Sequence, residues 1–258
     1  MQSRIDFTNC KRVIGKAYNG ANGKKIAVEY GSDVYMIKFP PNGENKPTEL
    51  SYTNSCISEY IASHIFNMLG IKTHETLLGT FNVSGKEKIV CACKDFTASG
   101  KQFLDFCSVK NTVIDSESTS NGTGTELDDI IETIEKQNFV NPNELKEHFW
   151  NMFVVDSFVA NFDRHNGNWG FLHDMESKTT QIAPVYDCGS CLLPQADDNV
   201  MKNVISIKEE LEARIYHFPN SIIKNDGTKI KYYDFVTSCT DEYFIDAVKR
   251  VVPRIDIE

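Results

Sequence analysis

Asn161-Phe-Asp-Arg-His-Asn-Gly-Asn168-Trp-Gly-Phe-Leu172, followed downstream by Ala183-Pro-Val-Tyr-Asp-Cys-Gly189, is the stretch that decides how this chain reads. It carries Asp163, then Asn168 at the spacing D-x-x-x-x-N, then Asp187 in a D-x-G string. Together these are the equipment of ATP-dependent phosphoryl transfer. One carboxylate accepts or orients the proton of the attacking hydroxyl, while an amide and a second carboxylate hold Mg²⁺ against the triphosphate. The chemistry asks for these residue types because the transferring group is densely anionic. The protein contributes position and charge, with little covalent work.

Each string alone is common; their order and setting give them weight. Glu144 to Ala160 reads as a helix with Leu145, Phe149, Phe153 and Val154 on one face. The acidic loop follows its C-terminal end. Trp169–Leu172 and Gln181–Val185 read as short strands joined by the polar turn His173–Thr180. The competing reading makes Asp163, His165 and Asn168 no more than hydrogen-bonding residues of a tight loop. For His165 the two readings are a loop-stabilising hydrogen bond, or orientation of Asp163 and contact with the γ-phosphate.

The order Asp-Arg-His, with the His after the Asp, resembles the HipA-like serine/threonine kinases and the phosphoinositide kinases. The fuller string N-x-D-R-H-x-x-N favours the HipA-like group. The similarity to short HipA-related kinases covers nearly the whole chain. It includes Ile5-Asp-Phe-Thr8, Gly20-Ala-Asn-Gly23, Tyr35-Met-Ile-Lys-Phe-Pro-Pro41, Ser51-Tyr-Thr-Asn54, Gly189-Ser-Cys191, Pro194-Gln-Ala-Asp-Asp198 and Ala213-Arg-Ile-Tyr216. The resemblance implies an α+β, two-lobed, protein-kinase-like fold. Residues 1–96 would form a small β-rich N-lobe and 97–258 a mainly helical C-lobe. It also implies transfer of the ATP γ-phosphate to protein Ser or Thr.

The upstream half carries the residues such a site needs. Ile26–Tyr30 and Val34–Phe39 are strand-like around a Gly31-Ser-Asp33 turn. Lys38 ends an apolar strand, where its ammonium can neutralise phosphates. Thr53 to Leu69 reads as a helix, with Asn54 or Ser55 as cap and Gly70 as stop. It places Glu59 on the face of Ala62, Phe66 and Leu69. An acid on an apolar face calls for a partner, and Lys38 is the natural one. The Gly- and Asn-rich segment Gly15–Lys25 precedes the Lys38 strand and tolerates positive φ, so its backbone can approach phosphate. Asn22, Gly23 and Lys24 are the expected contacts. It lacks Ser and Thr and is not a Walker A loop. Lys88–Phe96 reads as the last N-lobe strand and hinge, with the backbone of Val90, Cys91 and Cys93 against the adenine; Val90–Phe96 reads equally as ordinary core strand.

The chain has 258 residues, 41% hydrophobic and 24% charged, enough for a sizeable core. A formal charge of −9 excludes a generally nucleic-acid-binding surface. No apolar run is long enough to span a membrane, and no signal peptide is legible. A cytoplasmic location is expected, with translocation by a signal-independent route left open. The eight cysteines read as reduced thiols, with Cys188 and Cys191 packed beside Asp187 and not forming half a zinc site. Residues 114–125 read as a polar loop and Glu126–Gln137 as an acidic, solvated helix. HipA-like chains usually continue with further helices beyond Asp241–Val251, so a short form or a companion chain, such as an antitoxin, is an expectation too. The expected partners are otherwise a protein bearing Ser or Thr, ATP and Mg²⁺. A lipid or small-molecule kinase and a silent ATP-binding module are the alternatives.

Overall fold

The computed structural model describes residues 5–18, 24–41, 53–97, 100–114 and 125–256. Asn22, Gly23 and the centre of the polar 114–125 stretch lie outside the described residues.

β1 (Ile5–Asp6), β2 (Lys25–Tyr30) and β3 (Asp33–Lys38) open the chain, and α1 (Ser55–Met68) leads into β4 (Thr76–Val83) and β5 (Lys86–Lys94). These strands form one sheet in the order β1-β4-β5-β3-β2, antiparallel except for β1 against β4. Gly31 takes φ +62° in the two-residue turn between β2 and β3, which sets the register Tyr30↔Asp33 through Lys25↔Lys38. One face of this sheet buries Phe7, Val28, Ile37, Phe81 and Val90 together. The other face receives α1, whose Glu59, Ala62, Phe66 and Leu69 are all buried, as the helical period requires. Gly70 ends α1 at φ +83°, the left-handed conformation expected of a helix stop. Asn54 sits at the N-cap position but gives no cap; its side chain donates to the Ala196 carbonyl instead.

The remainder is mostly helical. β6 (Lys101–Asp105), α2 (Phe106–Val113), α3 (Leu127–Lys136) and α4 (Pro142–Phe158) precede β7 (Gly170–Asp174) and β8 (Thr180–Ile182). There follow α5 (Asp198–Ser206), α6 (Lys208–Tyr216), β9 (Asn220–Asn225), β10 (Thr228–Lys231), α7 (Tyr232–Ser238) and α8 (Glu242–Val251). Asn141 caps α4 by accepting from Asn143 N–H at 2.9 Å, with Pro142 at the helix start. α4 is the hub: Leu145, Phe149 and Phe153 are buried, but so are Trp150, Val155 and Asp156 on its other faces. The apolar cluster around it reaches Phe66 of α1, so the sheet-bearing and helical parts share α1 as a bridge.

β6, β7 and β8 form a small antiparallel sheet that carries the acidic loop. β8 is shorter than the sequence pattern suggests, ending at Ile182 rather than Val185. Pro184 lacks an N–H and interrupts the ladder. Val185 pairs instead with Thr73 as an isolated parallel bridge. That switch carries the following Asp187 toward the N-terminal sheet.

Candidate active site

Three elements meet at Lys38. Its Nζ lies 2.8 Å from Glu59 Oε2 on α1 and 2.7 Å from Asp187 Oδ1. Glu59 is fully buried, whereas the Asp187 side chain is 39% exposed. Burial alone would raise the Glu59 pKa, but the Lys38 charge and the adjacent His74 outweigh it and hold the carboxyl well below its ordinary range. Burial likewise works against the charge on Lys38, and Asp187 and Glu59 overcome it, so the ammonium stays protonated. Asp187 is kept ionised in the same way, by Lys38 against burial. The second oxygen of Glu59, Oε1, lies 2.9 Å from His74 Nε2. Gly189 is small for a reason: a Cβ there would stand 3.3 Å from Glu59 Oε2.

Asp187 adopts φ +56°, a left-handed backbone that a non-glycine residue holds only when its surroundings impose it. Arg164 is the main imposing group. It is buried, and its Nε and Nη2 reach the Asp156 carboxylate of α4 at 3.0 and 3.2 Å. Its Nη1 donates to the carbonyls of Asn168 and Tyr186, and Nη2 also meets Cys188 Sγ at 3.5 Å. One guanidinium therefore ties the end of the acidic loop to both neighbours of Asp187. Asn161 Nδ2 donates to Asp156 at 2.7 Å, and Asn161 Oδ1 accepts from Asp163 N–H at 3.0 Å. The carboxylate of Asp156 thus organises the loop from within the helix.

Within that frame Asn168 Nδ2 donates to the Asp163 carbonyl at 3.0 Å, which leaves Oδ1 as the ligand end of the amide. His165 Nδ1 accepts from Gly167 N–H at 3.1 Å, the loop-stabilising role. Burial raises the Asp163 pKa; His165 and Arg164 oppose it, and the Asp187 charge adds to it. Asp163 is accordingly the more basic carboxylate of the pair.

The expected Lys38–Glu59 pair forms, Lys38 also meets Asp187, and Asp163, His165 and Asn168 share one hydrogen-bonded loop. Lys24 places its ammonium over the Phe39 ring, 5.8 Å from the centroid, while its carbonyl accepts from Phe39 N–H. Lys25, which is not among the expected contacts, stands opposite Lys38 in the strand register. Val90 also departs from expectation. Its side chain is buried among the apolar residues of the opposite sheet face, and it pairs with Gly79. Cys91 and Cys93 point to the α1 side, beside Cys56, yet both pair with β3 and β4 across the sheet. A strand between two neighbours has its backbone groups taken up by the ladder, so Cys91 and Cys93 sit as core-strand residues.

Four residues at the site escaped the sequence reading: Lys25, His74, Asp156 and Arg164. Lys25 was recoverable, because counting outward equally from the Gly31-Ser32 turn pairs it with Lys38. The other three carry no spacing signal. As for a metal, Asp187 and Asn168 offer a carboxylate and an amide oxygen, hard donors that suit Mg²⁺. The shared Arg164 brace brings their backbones together.

Comparison with known proteins gives the fold and the family. The chain is 52% identical over 254 residues to the serine/threonine-protein kinase CtkA of Helicobacter pylori strain J99, covering 98% of this chain and 76% of that protein. The crystal structure of a Helicobacter pylori proinflammatory kinase CtkA superposes with a TM-score of 0.89 at 51% identity, over 98% of this chain and 84% of the other. The fold is therefore α+β and kinase-like, with a β-rich N-terminal part and a mainly helical C-terminal part. The model of the HipA-like C-terminal domain matches residues 17–247. With that match spanning most of its length, the chain belongs to the HipA-like family.

Proposed function

We propose that this protein is an ATP-dependent serine/threonine protein kinase whose catalytic cleft lies between residues 1–96 and 97–258. The observation that carries the proposal is Lys38 held between Glu59 and Asp187 at 2.8 and 2.7 Å. A buried acid keeps the cation in place, and the second acid stands where a metal-bridged triphosphate would meet it.

Lys38 and Lys25 neutralise the phosphates from one face of the β2–β3 hairpin. Asp187 and Asn168 would hold Mg²⁺ through oxygen ligands, and the ion would supply positive charge to offset that of the phosphates. Asp163 orients the acceptor hydroxyl and takes its proton, a role favoured by its raised basicity. His165 fixes the loop that carries Asp163. The acceptor is a Ser or Thr of a protein partner, by the activity named for the 52% identical relative. Among the described residues no helix is long and apolar enough to cross a membrane.

The test is acceptor identity. With γ-labelled ATP and Mg²⁺, label is expected on Ser or Thr of protein, in the protein itself or in a generic basic protein. Label found only in phosphoinositide vesicles would replace the acceptor class.

A further inference from the structure

Behind the Lys38–Glu59 pair lies a second set of groups, of which the proposed phosphoryl transfer uses Glu59 alone. Glu59, His74 and Cys93 each present one ligand atom, all within 4.8 Å of one another and all buried. Cys91 Sγ stands 3.9 Å from Cys93 Sγ, and Cys56 shares the same small cluster. They come from three elements: α1, the segment before β4, and β5. We propose that Glu59, His74 and Cys93, with Cys91 in reach as a fourth ligand, form an inhibitory zinc site.

The chemistry is that of zinc. Imidazole, thiolate and carboxylate are its usual ligands, at about 2.0–2.3 Å from the metal in tetrahedral order. Hard cations such as Mg²⁺ avoid thiolate, so this donor set discriminates against the ion of the catalytic cleft. His74 Nε2 and Glu59 Oε1 are already 2.9 Å apart. Small side-chain rotations bring Cys93 into the shell. On binding, the Cys93 thiol gives up its proton to solvent, and a divalent charge sits on the carboxylate that holds Lys38.

Glu59 links the two sites. Its Oε2 holds Lys38 and its Oε1 faces His74. A zinc ion on the His74 side draws the carboxylate away and repels the Lys38 ammonium, leaving Asp187 as that lysine's remaining partner. Inhibition in this form rests on the kinase reading; metal binding does not.

The experiment uses Co²⁺ as a spectroscopic stand-in for zinc on the full chain, free of nucleotide. Wild type should take up a single Co²⁺ with a thiolate charge-transfer band and the intense visible bands of a tetrahedral site. Zinc should bleach both. Cys93→Ser and His74→Gln should lose the spectrum, while Cys239→Ser keeps it; thermal unfolding of each variant confirms a folded protein. In transfer assays with excess Mg²⁺, zinc should inhibit wild type reversibly by chelator. Cys93→Ser, normalised to its own metal-free rate, should resist. No thiolate band, or one that survives in Cys93→Ser, would overturn the site. A correct spectrum with equal inhibition of both proteins would overturn the inhibitory role. A correct spectrum in a protein that transfers no phosphate would count against the kinase reading alone.

Discussion

Lys25 and Lys38 stand directly opposite each other across the antiparallel β2–β3 pair, two ammonium groups on one face of the sheet beside Asp187. Burial, and then the charge of Lys38, lower the Lys25 pKa; Asp187 and Glu59 partly offset this. Two cations brought together in this way are a costly arrangement that a polyanionic ligand relieves. Lys25→Met should therefore raise the KM for ATP by roughly tenfold, the loss of about 1.5 kcal/mol in a charged hydrogen bond. The kcat should fall less, and Lys25→Arg should restore most of the affinity. Steady-state kinetics over an ATP series checks this; an unchanged KM would remove Lys25 from the phosphate site.

Arg164 should matter most for stability. Replacing it by Met strands Asp156, which is fully buried, without its ion partner. Breaking such a pair costs about 3–5 kcal/mol. A urea titration should show the lower midpoint, and Asp156→Asn combined with Arg164→Met should recover part of the loss. A surface-like effect of a few tenths would show that the brace is not what holds the loop.

Glu59 gives a pH signature. Its folded pKa is depressed below the ordinary value of 4.5, because the Lys38 charge and the adjacent His74 outweigh burial. A depressed carboxylate contributes stability that is fully present above the unfolded pKa and is lost as pH falls toward the folded one. Wild type should lose stability progressively below about pH 4.5. Glu59→Gln should be less stable at neutral pH and flatter through the acid range. Equilibrium unfolding between neutral and acid pH compares the two slopes; identical slopes would separate Glu59 from acid sensitivity.

The sequence revealed this site unevenly, for physical reasons. Asp163, Asn168 and Asp187 were legible because their chemistry fixes their spacing on a short loop. Glu59 was legible because an acid on the Ala62–Phe66–Leu69 face has to find a cation. Arg164 lies inside the same motif, yet its partner Asp156 is hidden in α4, a helix buried on several faces, where periodicity no longer separates inside from outside. Neighbours in a strand face opposite sides, so Lys25 shares the face of Lys38 and Lys24 does not, a distinction that composition alone does not carry. At Val90, Cys91 and Cys93 an apolar run did not say whether the strand is central or ends at an opening, and the structure sets Cys91 and Cys93 between β3 and β4. His74 is a single residue in a connecting segment, and only the meeting of α1 with that segment gives it a partner.

The most direct measurement is a single-turnover transfer of labelled phosphate from ATP with Mg²⁺, alongside ATP binding, for wild type, Asp163→Asn and Asp187→Ala. The wild type should place label on Ser or Thr. Asp163→Asn should bind Mg-ATP normally and lose transfer by a factor on the order of 10² or more, the contribution of a positioned base. Asp187→Ala should lose transfer and the Mg²⁺ dependence of ATP binding together. Transfer retained at the wild-type rate in either variant would contradict the assignment of this cleft as the catalytic site.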